Sequence, residues 1–268
     1  MKIGFIGTGN MAGAFIGGLI KACIIQKSEI FVSDASQDAL DRISSLYEGL
    51  NTSTDNLEFL GSLDFLVLSV KPHIYEPVIR QIRDSISMNT VVITIAAGKT
   101  RAQVLELFGK DIKLVRTMPN TPALVGEGMT AVCPGDNLSL DEVNQVLTLL
   151  NAVGRTEILE EHLIDGYTAL CGSSPAYVYM FIEAMADAAV REGLPRDKAY
   201  SMAAQSVLGS AKMVLETGIH PGQLKDQVCS PGGSTIEAVG VLEQTGFRSS
   251  VMEAIRVCAD KSKKLSKS

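Results

Sequence analysis

The sequence predicts an α/β domain built on a doubly wound parallel sheet, followed by an all-α domain that dimerises. Three observations support this prediction. Short apolar runs alternate with helical segments up to about residue 159. Beyond residue 160 no convincing strand pattern occurs, and helical segments follow one another. The length of 268 residues is sufficient for two hydrophobic cores. We therefore expect one domain over residues 1–159 and a second over 160–268.

The strands of the first part are short apolar runs, each stopped by glycine, proline or polar residues. Such continuous runs are typical of strands that are buried on both faces of a parallel sheet. The helices between them show a 3.6-residue apolar period. The predicted strands are residues 2–6, 30–32, 64–70, 90–95 and 112–116, with edge strands at 130–132 and 155–158; the predicted helices include 10–23, 72–83, 101–108 and 139–150.

The second part contains clear helix boundaries. Ser174 and Pro175 form a start signal, and the residues Gly193-Leu194-Pro195 form a stop signal. The predicted helices are residues 176–191, 196–216, 235–243 and 249–264. The segment 199–215 is rich in Ala, Met and Gly, so a helix there is apolar all round and must be buried on most sides. A domain of this size cannot bury it alone, which favours a dimer; a monomeric bundle is the alternative.

Composition excludes several function classes. The net charge of −6 disfavours a nucleic-acid partner, and the short basic stretch 261–268 is interpreted as a solvated helix end. Five scattered cysteines without a C-x-x-C pair argue against disulfides and a zinc site, and each is expected to be a small buried side chain. No leader peptide or membrane-spanning run is evident, so we expect a soluble, cytoplasmic protein.

A glycine-rich loop follows the first strand. The residues Gly7-Thr8-Gly9-Asn10-Met11-Ala12 match G-x-G-x-x-A between a strand and a helix, which is the context that this fingerprint requires. Gly7 permits the tight turn, Gly9 lets a pyrophosphate approach the backbone, and Ala12 allows close helix packing. The loop predicts a Rossmann-type dinucleotide site. Its predicted cofactor contacts are Ile6, Gly7, Thr8, Gly9, Asn10 and Met11.

Asp34 follows the second predicted strand, where an acidic residue can bind the ribose 2′ and 3′ hydroxyls and favour NAD. Ser33 and Ser36 flank it and can instead bond a 2′-phosphate. No arginine or lysine in residues 33–41 is available to neutralise that phosphate. The alternative is that Asp34 only caps the helix that follows.

Further strand ends are expected to line the cofactor crevice, because ligands bind beyond the carboxyl ends of the strands in such sheets. One set of predicted contacts is Ser69, Val70, Lys71 and Pro72, and another is Ile95, Ala96 and Ala97. Lys71 can approach phosphate or substrate, or it can simply be solvated. The rigid loop 118–122 ends a third strand and can hold the nicotinamide or wall the substrate pocket.

A second glycine-rich loop lies between two helix-like segments near the C-terminus, at residues 226–235. Its backbone N–H groups can converge on an anion. The amides of Gly232 and Gly233 and the hydroxyls of Ser234 and Thr235 can bind a carboxylate without a buried cation. One loop suited to a dinucleotide and another suited to a small carboxylate suggest a reductase with two substrates.

Six stretches together resemble the pyrroline-5-carboxylate reductase family, over essentially the whole chain: 6–11, 70–72, 96–98, 116–122, 172–177, and 224–226 with 230–235. The resemblance implies NAD(P)H-dependent reduction of the C=N bond of 1-pyrroline-5-carboxylate to L-proline. It also implies a Rossmann domain and a helical domain that interleaves with a twofold partner. Active sites then form at the dimer interface, and some members assemble dimers into decamers.

The resemblance also implies roles for particular residues. Asp34 and Asn56 would lie near the adenosine ribose, although many relatives carry serine or threonine in place of Asp34, which leaves the choice between NADH and NADPH open. The implied substrate-carboxylate contacts are Ser230, Gly232, Gly233, Ser234 and Thr235. A protonated cyclic imine is a strong electrophile, so hydride transfer needs mainly positioning. Thr235, or a water that it holds, is our candidate proton donor.

No histidine is required for this chemistry, and we interpret His73, His162 and His220 as structural or exposed. Two other functions are alternatives to this reduction. Another imine or β-hydroxyacid reductase of similar build would be expected to carry a catalytic lysine where residues 172–176 read Gly-Ser-Ser-Pro-Ala. A dinucleotide sensor without catalytic activity would need the first loop and not the second.

Overall fold

A computed structural model of the chain describes residues 1–266 and divides it into two units. Among the described residues, the first comprises Met1–Gly172 together with residues 259–266, and the second is Ser173–Cys258. The predicted boundary between residues 159 and 160 lies just after the last strand, so it separates sheet from helices rather than one unit from the other. The assignment of dinucleotide binding to residues 1–159 and of dimerisation to residues 160–268 remains a prediction.

The first unit contains one eight-stranded sheet. Its strands are β1 (Ile3–Ile6), β2 (Ile30–Ser33), β3 (Asn51–Ser53), β4 (Phe65–Leu68), β5 (Val91–Thr94), β6 (Lys113–Met118), β7 (Gly128–Pro134) and β8 (Gly154–Ile158). The strand order is β3-β2-β1-β4-β5-β6-β7-β8, and all neighbours are parallel except β6 and β7. The first six strands follow the 3-2-1-4-5-6 order of the Rossmann fold, so the predicted doubly wound sheet is confirmed.

Six helices belong to the first unit: α1 (Asn10–Lys21), α2 (Gln37–Leu46), α3 (Tyr75–Ile82), α4 (Arg101–Phe108), α5 (Leu140–Leu150) and α6 (Ile164–Tyr167). Helices α4 and α5 begin with capping boxes, Thr100 with Gln103 and Ser139 with Glu142. Strands β1, β4 and β5 are buried at every residue, as their apolar runs predict. Separate apolar clusters form around Phe5 and around Tyr75.

Two strand predictions need correction. The run at 130–132 was expected to be an edge strand, but β7 lies inside the sheet between antiparallel β6 and parallel β8. Of the two predicted edge strands, β8 alone is at an edge. Strand β3 was not predicted. Its three residues, Asn51 to Ser53, are all polar, and Asn51 Nδ2 donates to the carbonyl oxygens of Ser28 and Ile30. An edge strand without an apolar run gives no periodic signal.

The second unit is helical, as predicted: α7 (Ser174–Arg191), α8 (Arg196–Thr217), α9 (Pro221–Val228), α10 (Ser234–Gln244) and α11 (Phe247–Leu265), the last of which ends in the first unit. In α8 only Ala199 and Ala203 are buried among the described residues, whereas Met202 and Leu215 are 55% and 58% exposed. This single chain therefore leaves the apolar surface of α8 uncovered. Within residues 1–266, no helix combines the length and apolar content that crossing a membrane requires.

Candidate dinucleotide and anion sites

The first glycine loop follows β1 and is held by residues at the ends of β2 and β4. The Gly7 N–H donates to the Ser33 carbonyl oxygen at 2.7 Å, and the φ angle of Gly7 is +97°. A Cβ atom at Gly7 would lie 2.9 Å from Val70 Cγ1 and 3.0 Å from the Ser69 carbonyl oxygen. Both the backbone conformation and the available space therefore require glycine here.

Gly9 leaves one side of the loop open. A Cβ atom at this position would meet no atom within 4 Å, and Gly9 is the N-cap of α1 without any side-chain capping bond. The first turn of α1 thus presents backbone N–H groups and the positive end of the helix dipole next to open space. These residues fit a pyrophosphate, which binds at such helix N-termini.

Asp34, at the end of β2, is bound to the glycine loop. Its Oδ2 accepts hydrogen bonds from the Thr8 N–H and from Thr8 Oγ1, both at 2.8 Å, and its Oδ1 accepts from the Ser36 N–H at 3.0 Å. The cap of α2 is Ser36, whose Oγ accepts from the Ala39 N–H. The capping role considered for Asp34 is therefore wrong. The contact with Thr8 was not visible in the sequence, because the two residues are separated by a helix.

Asn56 is connected to the end of β2. It accepts a hydrogen bond on Oδ1 from Ser33 Oγ at 2.7 Å, and its Nδ2 donates to Gln81 Oε1 at 2.8 Å. The structure thus brings Asn56 to the residue that precedes Asp34, through a chain of polar side chains. Gln81 was missed, because an exposed glutamine on a helix carries no sequence signal.

The end of β4 is bonded to the first glycine loop, and the end of β5 is bonded to β4 through Tyr75. Ser69 Oγ donates to the carbonyl oxygens of Ile6 and Gly7 at 3.0 and 2.7 Å. Tyr75, which sequence reasoning missed, is buried; its hydroxyl donates to the Leu68 carbonyl at 2.6 Å and accepts from the Ile95 N–H at 3.3 Å. Burial raises the pKa of Tyr75, so the hydroxyl stays protonated and can donate.

The remaining residues predicted at these strand ends differ in exposure. Lys71 and Pro72 are exposed at the start of a short 3₁₀ turn, Pro72–Ile74. Ala96 is buried, and Ala97 is exposed. Their exposure therefore allows Lys71 and Ala97 to contact a ligand, while Ala96 belongs to the apolar cluster around Tyr75.

The second glycine loop forms a tight turn in the second unit. The Gly233 N–H donates to the Ser230 carbonyl oxygen at 3.0 Å, and the φ angle of Gly232 is +65°. A Cβ atom at Gly233 would lie 2.4 Å from Ser230 Oγ and 3.2 Å from the Ser230 carbonyl oxygen, so any larger residue would force the Ser230 side chain to move. Helix α10 then begins at Ser234 with Gly233 as its N-cap.

Thr235 does not cap this helix. Helix α10 has no side-chain capping bond, and within the described residues the Thr235 hydroxyl has no hydrogen-bond partner. The capping alternative for Thr235 is therefore wrong. The half-buried Thr235 and the exposed Ser230 and Ser234 stand at an uncapped helix N-terminus. This arrangement of hydroxyls and free N–H groups suits a carboxylate.

Within residues 1–266, no histidine lies in either glycine loop, and Cys229 is the one cysteine that does. All three histidines are exposed, and His220 Nδ1 accepts from the Gly222 N–H at the start of α9, which agrees with the interpretation of the histidines as structural or exposed. That none is needed for catalysis stays a prediction. All five cysteines are free, but only Cys133 is buried and Cys23 is exposed. The expected burial of every cysteine is therefore wrong. Cys229 lies within the second loop, immediately before Ser230.

A glycine loop at the carboxyl edge of a doubly wound sheet, followed by an uncapped helix, defines a dinucleotide-binding protein of the Rossmann class. Comparison with known proteins agrees with this class. The family model "Pyrroline-5-carboxylate reductase dimerisation" matches residues 161–265. The model "NADP oxidoreductase coenzyme F420-dependent" matches residues 2–98.

Relatives match the chain along its whole length. Pyrroline-5-carboxylate reductase of Escherichia coli (strain K12) is 49% identical, covering 100% of this chain and 99% of that protein. The enzyme of the same name from Methanosarcina acetivorans is 41% identical, covering 99% and 98%. The solved structure of a pyrroline-5-carboxylate reductase from Coxiella burnetii has a TM-score of 0.93 at 36% identity, covering 100% and 99%.

Plasmodium falciparum pyrroline carboxylate reductase with NADP bound has a TM-score of 0.88 at 34% identity, covering 99% of this chain and 98% of that one. The chain belongs to the pyrroline-5-carboxylate reductase family and is an NAD(P)H-dependent oxidoreductase. Family membership argues against both alternatives, a dinucleotide sensor without catalytic activity and another imine or β-hydroxyacid reductase of similar build.

Proposed function

We propose that each of the two glycine-rich loops binds one of the two substrates in the reaction of this family, the NAD(P)H-dependent reduction of 1-pyrroline-5-carboxylate to L-proline. The first loop holds the dinucleotide and the second holds the substrate carboxylate. The observation that carries this proposal is that each loop ends in an uncapped helix N-terminus, one in each unit. Two separate anion-binding ends match two anionic substrates.

On the cofactor side, the first turn of α1 binds the pyrophosphate, and Asp34 with Asn56 lies at the adenosine ribose. The network that joins Asp34 to Thr8 and Asn56 to Ser33 supports this assignment, because it builds a polar surface at the end of β2. The strand ends at Ser69 to Pro72 and at Ile95 to Ala97 line the path towards the nicotinamide. We infer that both NADH and NADPH are used, with Asp34 favouring NADH.

On the substrate side, the Gly232 N–H, the free N–H groups of the first turn of α10 and the hydroxyls of Ser230, Ser234 and Thr235 bind the carboxylate. Gly233 shapes the turn, because its own N–H is bonded to the Ser230 carbonyl oxygen. When bound, the cofactor supplies the hydride that the imine carbon of the protonated C=N bond accepts. The ring nitrogen keeps its proton and gains the electron pair of the C=N bond. Thr235, or a water on its hydroxyl, donates any further proton that the new amine takes up.

The proposal extends to domain roles and assembly. Residues 1–159 bind the cofactor, and residues 160–268 bind substrate and form a homodimer through the uncovered apolar surface of α8. The dimerisation family model over 161–265 supports this division. Dimers can assemble further into decamers. Five free cysteines and a net charge of −6 are compatible with a cytoplasmic location.

A turnover assay tests the proposed function. Purified protein is mixed with 1-pyrroline-5-carboxylate and either NADH or NADPH, and the loss of the reduced-nicotinamide absorbance is followed while proline is identified chemically. We expect one proline formed per NAD(P)H oxidised, with both cofactors. Cofactor oxidation without proline, or no oxidation with either cofactor, would contradict the proposal.

A further inference from the structure

The Asp34 carboxylate is held by more hydrogen bonds than a residue that only awaits a ligand would need. Both hydrogen bonds from Thr8 converge on Oδ2 at 2.8 Å, and the Ser36 N–H reaches Oδ1 at 3.0 Å. A carboxylate offers about four lone-pair sites. Thr8 therefore occupies the sites of Oδ2, and Oδ1 keeps one acceptor site that no described residue uses.

We propose that Thr8 is a positioning residue that sets the choice between NADH and NADPH, by fixing the Asp34 carboxylate. This inference rests on the proposed contact of Asp34 with the cofactor ribose. A fixed, ionised carboxylate presents its remaining acceptor site to a ribose hydroxyl and its charge to any 2′-phosphate. The first interaction favours NADH and the second opposes NADPH. Without the Thr8 hydroxyl, only two backbone donors hold the carboxylate and it can turn away from the ribose.

A purely structural role for Thr8 predicts a different result. The glycine loop has other anchors, since the Gly7 N–H donates to the Ser33 carbonyl and Ser69 Oγ donates to the Gly7 carbonyl. Removing one hydroxyl therefore leaves the turn in place. If the hydroxyl only stabilised the loop, its loss would weaken the binding of both dinucleotides by the same factor.

The test measures equilibrium binding of NADH and NADPH to the full-length protein without substrate, by nucleotide fluorescence. Thr8→Val removes the hydroxyl at nearly constant volume, and Thr8→Ser retains it. We expect Thr8→Val to lower the ratio of the NADPH Kd to the NADH Kd about fivefold, as for the loss of one hydrogen bond. Thr8→Ser keeps the ratio of the wild type. If Thr8→Val does not fold, Thr8→Ala takes its place.

A double-mutant cycle with Asp34→Ser separates the possible outcomes. We expect Asp34→Ser to lower the ratio by itself, and Thr8→Val to have no additional effect in that background. Equal weakening of both nucleotides by Thr8→Val, or the same change of ratio with and without Asp34, would overturn the inference. If Asp34→Ser leaves the ratio unchanged, the proposed ribose contact fails first, and this inference fails with it.

Discussion

Glu161 joins three parts of the first unit, and its removal has a calculable cost. Its Oε1 accepts from the Arg101 N–H at 2.7 Å and from the Arg116 guanidinium at 2.8 Å, and Arg101 Nε lies 3.4 Å from its Oε2. The side chain of Arg116 is only 6% exposed, whereas that of Glu161 is 26% exposed. Glu161→Gln therefore leaves a buried guanidinium without its counter-charge.

The expected loss follows from these exposures. Breaking a fully buried ion pair costs about 3–5 kcal/mol. Because Glu161 is partly solvated and glutamine can still accept a hydrogen bond, we expect about 2 kcal/mol. In a protein of this size that loss lowers the Tm by about 4–8 °C.

The pH dependence has a defined sign. Burial opposes ionisation of Glu161, but the Arg101 N–H and the Arg116 guanidinium outweigh it and lower the pKa of the carboxyl. A lowered folded-state pKa means that the stabilisation is complete above the unfolded value of about 4.3. It is lost as the pH falls through the folded-state pKa. The difference in Tm between wild type and Glu161→Gln should therefore shrink below about pH 4.

Thermal unfolding followed by circular dichroism measures both effects. The matched control is Glu76→Gln, whose ion pair with Arg80 is exposed on both sides, so its cost should stay below about 0.5 kcal/mol. The reasoning is refuted if Glu161→Gln melts as the control does. It is also refuted if the difference between wild type and Glu161→Gln persists undiminished in acid.

Three further predictions concern cofactor choice, assembly and the strand ends. Asp34→Ser should raise kcat/KM with NADPH relative to NADH in steady-state assays, since it removes a negative charge near the 2′-phosphate; an unmoved ratio would contradict the ribose contact. Sedimentation at micromolar concentration should give a dimer or a multiple of it, because the apolar surface of α8 needs a partner; an active monomer would contradict this. Tyr75→Phe should cost about 1–2 kcal/mol in thermal melts, because it removes the buried hydrogen bonds of the hydroxyl with the Leu68 carbonyl and the Ile95 N–H; wild-type stability would contradict it.

Much of the fold was predictable because its signals are local. Strand β4, Phe65–Leu68, is buried at every residue, and its continuous apolar run in the sequence predicts such a strand. The polar β3 has no such run. The position of β7 inside the sheet depends on its antiparallel pairing with β6, which no local pattern encodes.

For the candidate sites, too, the features with a local signal were predictable and the long-range contacts were not. Gly7 was predictable because its tight turn requires glycine, and Gly9 because the G-x-G-x-x-A fingerprint places it at the helix end that a pyrophosphate approaches. The contact between Thr8 and Asp34, and that between Arg101 and Glu161, join residues 26 and 60 positions apart. Such pairs depend on the folded chain and not on spacing, so they could not be found from the sequence.

The assignment of the first loop to the cofactor and of the second loop to the substrate carboxylate is tested most directly at Thr235. Thr235→Ala removes a hydroxyl that carries no helix cap, so the Tm should hardly change. We expect kcat/KM for 1-pyrroline-5-carboxylate to fall about tenfold or more, as for a lost hydrogen bond of at least about 1.5 kcal/mol to a charged group. The Kd of NADH and NADPH should stay the same, because the dinucleotide loop belongs to the other unit.

The matched control is Thr245→Ala at the opposite end of α10, where the hydroxyl donates to the Val241 carbonyl, and its turnover should remain close to that of the wild type. Steady-state kinetics on the two variants, with nucleotide binding measured alongside, is the decisive measurement. A tenfold loss confined to Thr235→Ala, with unchanged nucleotide affinity, is the predicted result. Near-normal turnover in Thr235→Ala would contradict the assignment of the second loop to the substrate carboxylate.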